Sequence, residues 1–128
     1  IGLMNLLLDT HILLWWLDDH PSLTPRCRSA IANGSNLVFV SAAVIWEIRV
    51  KQSVGKLRIP NGFREILAQQ AFIWLPITVD HAHALEGMPL HHRDPFDRML
   101  IAQAHVENFT VVTHDSVFRK YKIAVMSN

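Results

Sequence analysis

Eleven of the 128 residues are Asp or Glu, and a few of them stand where a carboxylate can do chemistry. Asp9 closes the apolar run "NLLL", and Asp115 follows "FTVVTH". Glu47 is the lone acid of "AAVIWEIRVKQS", and Asp94 and Asp97 open "DPFDRMLIAQA". At i and i+3 the last two share a helix face. Taken singly, each has a structural explanation. Asp9, Asp115 and Asp94 can cap the helical stretches that follow them. Asp97 suits the positive end of a helix dipole, and Glu47 can pair with Lys51 at i+4. Taken as a set, Asp9, Glu47, Asp97 and Asp115 would converge on one rim, with Asp94 best explained as a cap. Carboxylates held close raise one another's pKa and repel unless a cation neutralises them. Oxygen donors without a thiolate favour Mg²⁺ or Mn²⁺ over zinc. Such an ion polarises a phosphate oxygen and acidifies a bound water. The chain has no Gly-x-x-x-x-Gly-Lys loop and no Gly-x-Gly-x-x-Gly. Metal-assisted phosphodiester hydrolysis is therefore expected over nucleotide-driven chemistry.

The elements that must position these acids alternate along the chain. "NLLL" reads as a buried strand and "THILLWWLDD" as a helix broken by "HPSLTP". Thr24-Pro25 starts a helix that stops at Asn33-Gly34. "NLVFVS" is a second strand, and Ser41 can cap "AAVIWEIRVKQS", which Gly55 closes. Pro60 to Ala71 is an amphipathic helix, "FIWLPI" a third strand and "VDHAHALEGM" a short helix. "MPLHHRD" is a loop before the strong helix "PFDRMLIAQAHVEN". "FTVVTH" is a fourth strand, "DSVFRK" a helical turn and "KIAVM" a fifth strand. Short, fully apolar strands between helices predict an α/β fold: a three-layer α/β/α domain around a mostly parallel sheet of four to five strands. Sites in such sheets lie beyond the carboxyl ends of the strands, where Asp9 and Asp115 fall.

Half the residues are hydrophobic and 18% are charged, which excludes global disorder. Asp9, His11, Asp18 and Asp19 interrupt the most apolar region, so no membrane span is expected. No secretory signal is evident, and the single cysteine, Cys27, suits a reducing cytoplasm and rules out a cysteine zinc cluster. Ile1 to Leu3 precede Met4 and read as a vector remnant, with one domain over residues 4–128. The net charge of +1 does not announce a nucleic-acid binder. Arg49, Lys51, Lys56, Arg58 and Arg64 nonetheless cluster, as do Arg119, Lys120 and Lys122. They suit a solvated face and a binding surface alike.

Other side chains carry weaker signals. Arg93 and Arg98 flank the acidic helix start, where they suit phosphate contacts or surface pairing with acids. Trp15, Trp16, Trp46 and Trp74 are spaced as core or partner contacts, although Trp15 and Trp16 cannot both face one core. Of the eight histidines, His114 abuts Asp115 and can support it. His81 and His83 fall on different sides of a helix, His91-His92 lies in a loop, and solvated or singly hydrogen-bonded rings are expected. Cys27 is expected to pack.

With these residues assembled, the sequence resembles a PIN domain, and more narrowly the VapC-type toxins of bacterial toxin–antitoxin pairs. "LLLDTHILLWWL", "VSAAVIWEI", "HHRDPFDRMLIAQA" and "VVTHDSVF" carry the resemblance, in the family's order and over nearly the whole chain. It matches the family's acids at Asp9, Glu47, Asp97 and Asp115. It implies a Mg²⁺- or Mn²⁺-dependent endoribonuclease that cuts RNA and halts translation. Asp9, Asp97 and Asp115 would bind metal directly or through water, while Glu47 completes the cage or orients the attacking water. Thr10 and Thr113 would fix metal-bound waters or carboxylate rotamers, and Asp94 is a cap or supporting residue. The resemblance also implies a homodimer and a cognate antitoxin, with no sequence-specific DNA binding by this chain. Alternatives are a PIN-type nuclease of RNA processing without an antitoxin, an acidic-pocket phosphotransfer or phosphatase domain, and a non-enzymatic module that sequesters a partner. His11 stands where a haloacid-type phosphatase needs its second Asp, and "VVTHD" lacks the Lys of a receiver domain.

Overall fold

The computed structural model describes residues 3–128. Ile1 and Gly2 lie outside them, and with them the reading of residues 1–3 as a vector remnant. The elements run β1 (Asn5–Leu8), α1 (Thr10–Leu17), α2 (Pro25–Ala32), β2 (Leu37–Ser41), α3 (Ala42–Ser53), α4 (Phe63–Ala68), β3 (Ile73–Leu75), α5 (Val79–His83), α6 (Pro95–Glu107), β4 (Thr110–Thr113), a 3₁₀ turn (Ser116–Lys120) and β5 (Ala124–Ser127). The five strands form one all-parallel sheet in the order β3-β2-β1-β4-β5.

This order follows from burial. Leu6, Leu7 and Leu8 are all fully buried. Successive strand residues point to opposite faces, so β1 needs cover on both sides and takes the centre. From β1 the chain steps outward through β2 to β3. It then crosses back over the sheet to β4 and β5. Right-handed crossovers made in opposite directions lie on opposite faces, which gives the three layers. β1 pairs with β2 on one side and β4 on the other, so the strand order reverses between β1 and β4. In an open α/β sheet that reversal leaves a crevice at the carboxyl ends.

Caps set most helix ends as the sequence predicts. Thr24 accepts from the Cys27 N–H, and Ser41 accepts from the Ala43 N–H. Gly55, at φ +74°, ends the turn after α3, a conformation that favours glycine. Several predicted elements are shorter than expected. α1 stops at Leu17, where Asp18 caps it and Asp19 turns left-handed at φ +48°. The helix expected over residues 60–71 is reduced to Phe63–Ala68, because Gly62 before it is left-handed and offers no side-chain cap. α5 covers only Val79–His83 of its predicted stretch, and β5 begins at Ala124, two residues later than predicted.

The tryptophans sit at the surface and at the edge of the core. Trp46 and Trp74 are 56% and 50% exposed. Trp15 and Trp16 are half-buried at the edge of the core, and Trp16 donates its indole N–H to Gln70 Oε1 at 3.0 Å. Cys27 is buried, as expected. Among the described residues, no helix is long and apolar enough to cross a membrane.

Candidate active site

Asp9 is the first residue beyond β1, and its backbone N–H still bonds to Val112 O of β4 at 3.1 Å. One carboxylate oxygen caps α1 by accepting from Ile12 N–H at 3.0 Å, and the other accepts from the Thr113 hydroxyl. The cap explanation and a role in the cleft are therefore compatible in one side chain. Asp9 is only 4% exposed. Burial pushes its pKa up, against the opposing effects of Thr113, the Ile12 N–H, His11 and His114.

Thr10 carries the network onward. Its hydroxyl donates to Glu47 Oε1 at 2.5 Å, and Lys51 Nζ lies 2.6 Å from Glu47 Oε2. The buried Glu47 thus has the i+4 partner expected of it. The bond to Glu47, with the added attraction of that charge, raises the Lys51 pKa.

Asp94 is the cap of α6, accepting from the Phe96 and Asp97 N–H groups at 2.9 and 3.0 Å. This leaves the Asp97 side chain free to face the cleft. Its pKa is pushed up to about 7, first by burial and then by the neighbouring Asp94, Glu47 and Asp9 carboxylates, with His92 opposing. Asp115 caps the 3₁₀ turn through the Val117 N–H at 3.0 Å. Burial raises its pKa, but the Val117 N–H and His92 outweigh burial and leave it lowered.

The sequence did not single out His92. Its Nε2 stands 2.9 Å from Asp115 Oδ2 and 3.0 Å from Asp97 Oδ2. The expectation of a solvated or singly bonded loop histidine is therefore wrong for this ring. Its Nδ1 accepts from the Asp94 backbone N–H at 3.2 Å. In a neutral imidazole that places the proton on Nε2, so His92 donates between the two carboxylates. A metal-bound histidine normally donates through its other ring nitrogen. With Nδ1 already an acceptor, His92 is arranged to hold the acids rather than to join them as a ligand.

Tyr121 fixes the loop that presents His92. Its hydroxyl accepts from the His92 N–H at 2.8 Å and donates to Pro89 O at 2.7 Å. Arg98 donates to the carbonyls of Pro89 and His92 at 2.9 and 3.2 Å. It braces this loop rather than pairing with an acid, one of the two roles its position suited. No periodicity links a loop histidine to an acid 23 residues later, so sequence spacing had no signal for it.

His81 is a second correction. It is fully buried, completes a capping box with Thr78, and lies 2.7 Å from Glu107 Oε2.

Asp9, Thr10, Glu47, Lys51, Asp94, Asp97 and Asp115 line one cleft of about 440 Å³, with His11, His114 and Ser116. Carboxylate oxygens of Asp97 and Asp115 lie within 4.8 Å of each other, with His92 Nε2 between them. Several carboxylates, one pushed up to about 7 by burial and then by its neighbours, make a site that fits a divalent cation. Charge neutralisation would relieve their repulsion, and oxygen donors suit Mg²⁺ or Mn²⁺.

Comparison with known proteins agrees with this geometry. A family model described as PIN domain matches residues 6–124. The structure of VapBC2 from Rickettsia felis, bound to a DNA fragment from its promoter, aligns with a TM-score of 0.71 at 17% identity. That alignment covers 97% of this chain and 98% of the other. VapBC-1 from nontypeable Haemophilus influenzae aligns with a TM-score of 0.67 at 17% identity, over the same shares. The PIN domain endonuclease Utp24 aligns with a TM-score of 0.58 at 16% identity, over 97% of this chain and 84% of its own. At these identities the structures speak to the fold alone. No curated protein matches the chain in sequence.

Proposed function

The chain belongs to the PIN domain family, and from that premise we propose that it is a metal-dependent endoribonuclease, the toxin of a toxin–antitoxin pair. The observation that carries this reading is the convergence of Asp9, Glu47, Asp97 and Asp115 on one cleft at the reversal point of the sheet. In this reading Asp9, Asp97 and Asp115 hold Mg²⁺ or Mn²⁺, and Glu47 completes the cage or orients the attacking water. The ion would supply Lewis acidity toward the scissile phosphate and lower the pKa of a bound water.

The chain's own residues supply the rest. Thr113 and the Ile12 N–H hold the Asp9 carboxylate in one rotamer. Thr10 and Lys51 do the same for Glu47. His92 keeps Asp97 and Asp115 turned toward each other. A site with its carboxylates already oriented loses little freedom when the reaction begins.

The structural neighbours support an antitoxin partner. VapBC2 and VapBC-1 share this fold. By that likeness we assign this chain a cognate antitoxin; the homodimeric state, action in the cytoplasm and effect on translation are what the resemblance to VapC-type toxins implies. DNA binding in such a complex would belong to the antitoxin.

The test is cleavage of single-stranded RNA by the purified protein in Mg²⁺ or Mn²⁺, with and without a chelator. Cleavage that stops on chelation and returns with added ion supports the proposal. Intact RNA under every metal condition overturns it. Growth arrest on expression, relieved by the neighbouring small reading frame, tests the toxin assignment separately.

A further inference from the structure

Aromatic rings continue along one wall of the acidic cleft. His11 lies two residues beyond Asp9, and His114 directly precedes Asp115. Although 103 positions apart by their numbers (114 − 11), their ring centroids are 5.2 Å apart at 85°. Trp15, one turn along α1 from His11, has its centroid 4.9 Å from His114 and 5.8 Å from His11. His20 stacks on Trp15 at 5.8 Å and 22°.

Both His11 and His114 are exposed, and both line the cleft with the acids. Rings recruited for core packing would be buried, as Phe118 is. These rings pack against one another at the surface instead. Aromatic surface left at the edge of a polar cleft suits a flat, polarisable ligand.

We propose that His11, His114 and Trp15 form a nucleobase subsite, on which an unpaired RNA base beside the scissile phosphate stacks. This rests on the nuclease reading and specifies the form of its substrate. Unpaired bases stack on histidine and tryptophan faces, whereas bases within a duplex already have both faces covered. Because each histidine is within two residues of a cleft acid, a base held on the shelf brings its own phosphate to the carboxylates. A base is favoured over a protein segment because His11 and His114 line the same cleft as the acids that would hold its phosphate.

The experiment is single-turnover cleavage of a mixed-sequence single-stranded oligoribonucleotide in Mn²⁺, read as half-saturating protein concentration and maximal rate. The double variant His11→Ala/His114→Ala should raise half-saturation about tenfold, as loss of a stacking contact does, with the effect falling there and not on the maximal rate. His11→Phe/His114→Phe keeps flat rings without imidazole and should restore tight half-saturation. An abasic nucleotide next to the cut should weaken the parent protein similarly and cost clearly less in the Ala/Ala variant, where Trp15 alone remains. An unchanged half-saturation in the Ala/Ala variant, or an equal abasic penalty in both proteins, overturns the subsite and leaves the rings to a protein partner. If the parent protein cuts no RNA, the nuclease reading falls and the subsite with it. Parent cleavage with unaltered variants removes the subsite alone.

Discussion

The Thr113 hydroxyl donates to the carboxylate of Asp9 across 104 positions of sequence. It ties the end of β4 to the end of β1 where the strand order reverses. The other oxygen of Asp9 caps α1, so one side chain both starts a helix and faces the cleft.

Asp9→Asn separates these two tasks. Asparagine caps a helix about as well as aspartate, so the melting temperature should stay close to that of the parent. The charge in the cleft is lost, and RNA cleavage should fall by at least about 100-fold, because ligands of a shared cage act as a unit. A folded Asp9→Asn protein that cleaves at the parent rate removes Asp9 from the mechanism.

His92→Ala deletes the N–H shared by Asp97 and Asp115. Without metal, the loss of a hydrogen bond to charged acceptors should destabilise the protein by about 1.5 kcal/mol. With metal, half-saturation by Mn²⁺ should weaken by roughly tenfold or more, as is usual when a group orienting the ligands is removed. His92→Gln retains an N–H donor and should recover part of both. Equal behaviour of the Ala and Gln variants would mean that packing, not the donated proton, is what His92 contributes.

The metal-free protein should lose stability as pH rises through neutrality. The Asp97 pKa is raised from 3.8 to about 7 in the fold, so the folded state holds this proton more tightly than the unfolded chain. That contribution is complete below 3.8 and is lost as pH climbs to about 7. The Asp115 pKa is lowered, so its contribution is present above 3.8 and disappears as pH falls. Thermal melts of the parent and Asp97→Asn, without metal, should therefore diverge between about pH 5 and pH 8, the parent declining more. Because metal binds the ionised carboxylate, Mn²⁺ should raise the parent melting temperature more at about pH 8 than at about pH 5. Equal gains at both would exclude Asp97 as a ligand.

Gln103→Leu tests a polar network inside the core. Gln103 is fully buried. It accepts from the Ser41 hydroxyl at 2.6 Å, and its amide nitrogen lies 3.3 Å from both Pro76 O and His81 Nδ1. Leucine fills similar space but leaves the Ser41 hydroxyl proton and Pro76 O without this partner, at a cost of about 3 kcal/mol. The melting temperature should drop by roughly 10 °C. A drop of only a degree or two would show that the network contributes little.

By itself the sequence determined the order of the elements, the parallel sheet and the acids at its rim. These are local properties. Apolar runs too short for buried helices, such as "NLLL", must be strands covered on both faces, and Thr24, Ser41 and Asp94 announce helix starts through short-range caps. The acids at Asp9 and Asp115 were legible because they directly follow strands. Only the tertiary structure decided how those carboxylates are held. The bridge from His92 to Asp115, the contact of buried His81 with Glu107 and the pairing of His11 with His114 join residues far apart in sequence, through loops of no fixed period. Periodicity reports which face a side chain occupies. It carries no information about which distant side chain meets it there, because that depends on how the crossovers bring the strand ends together.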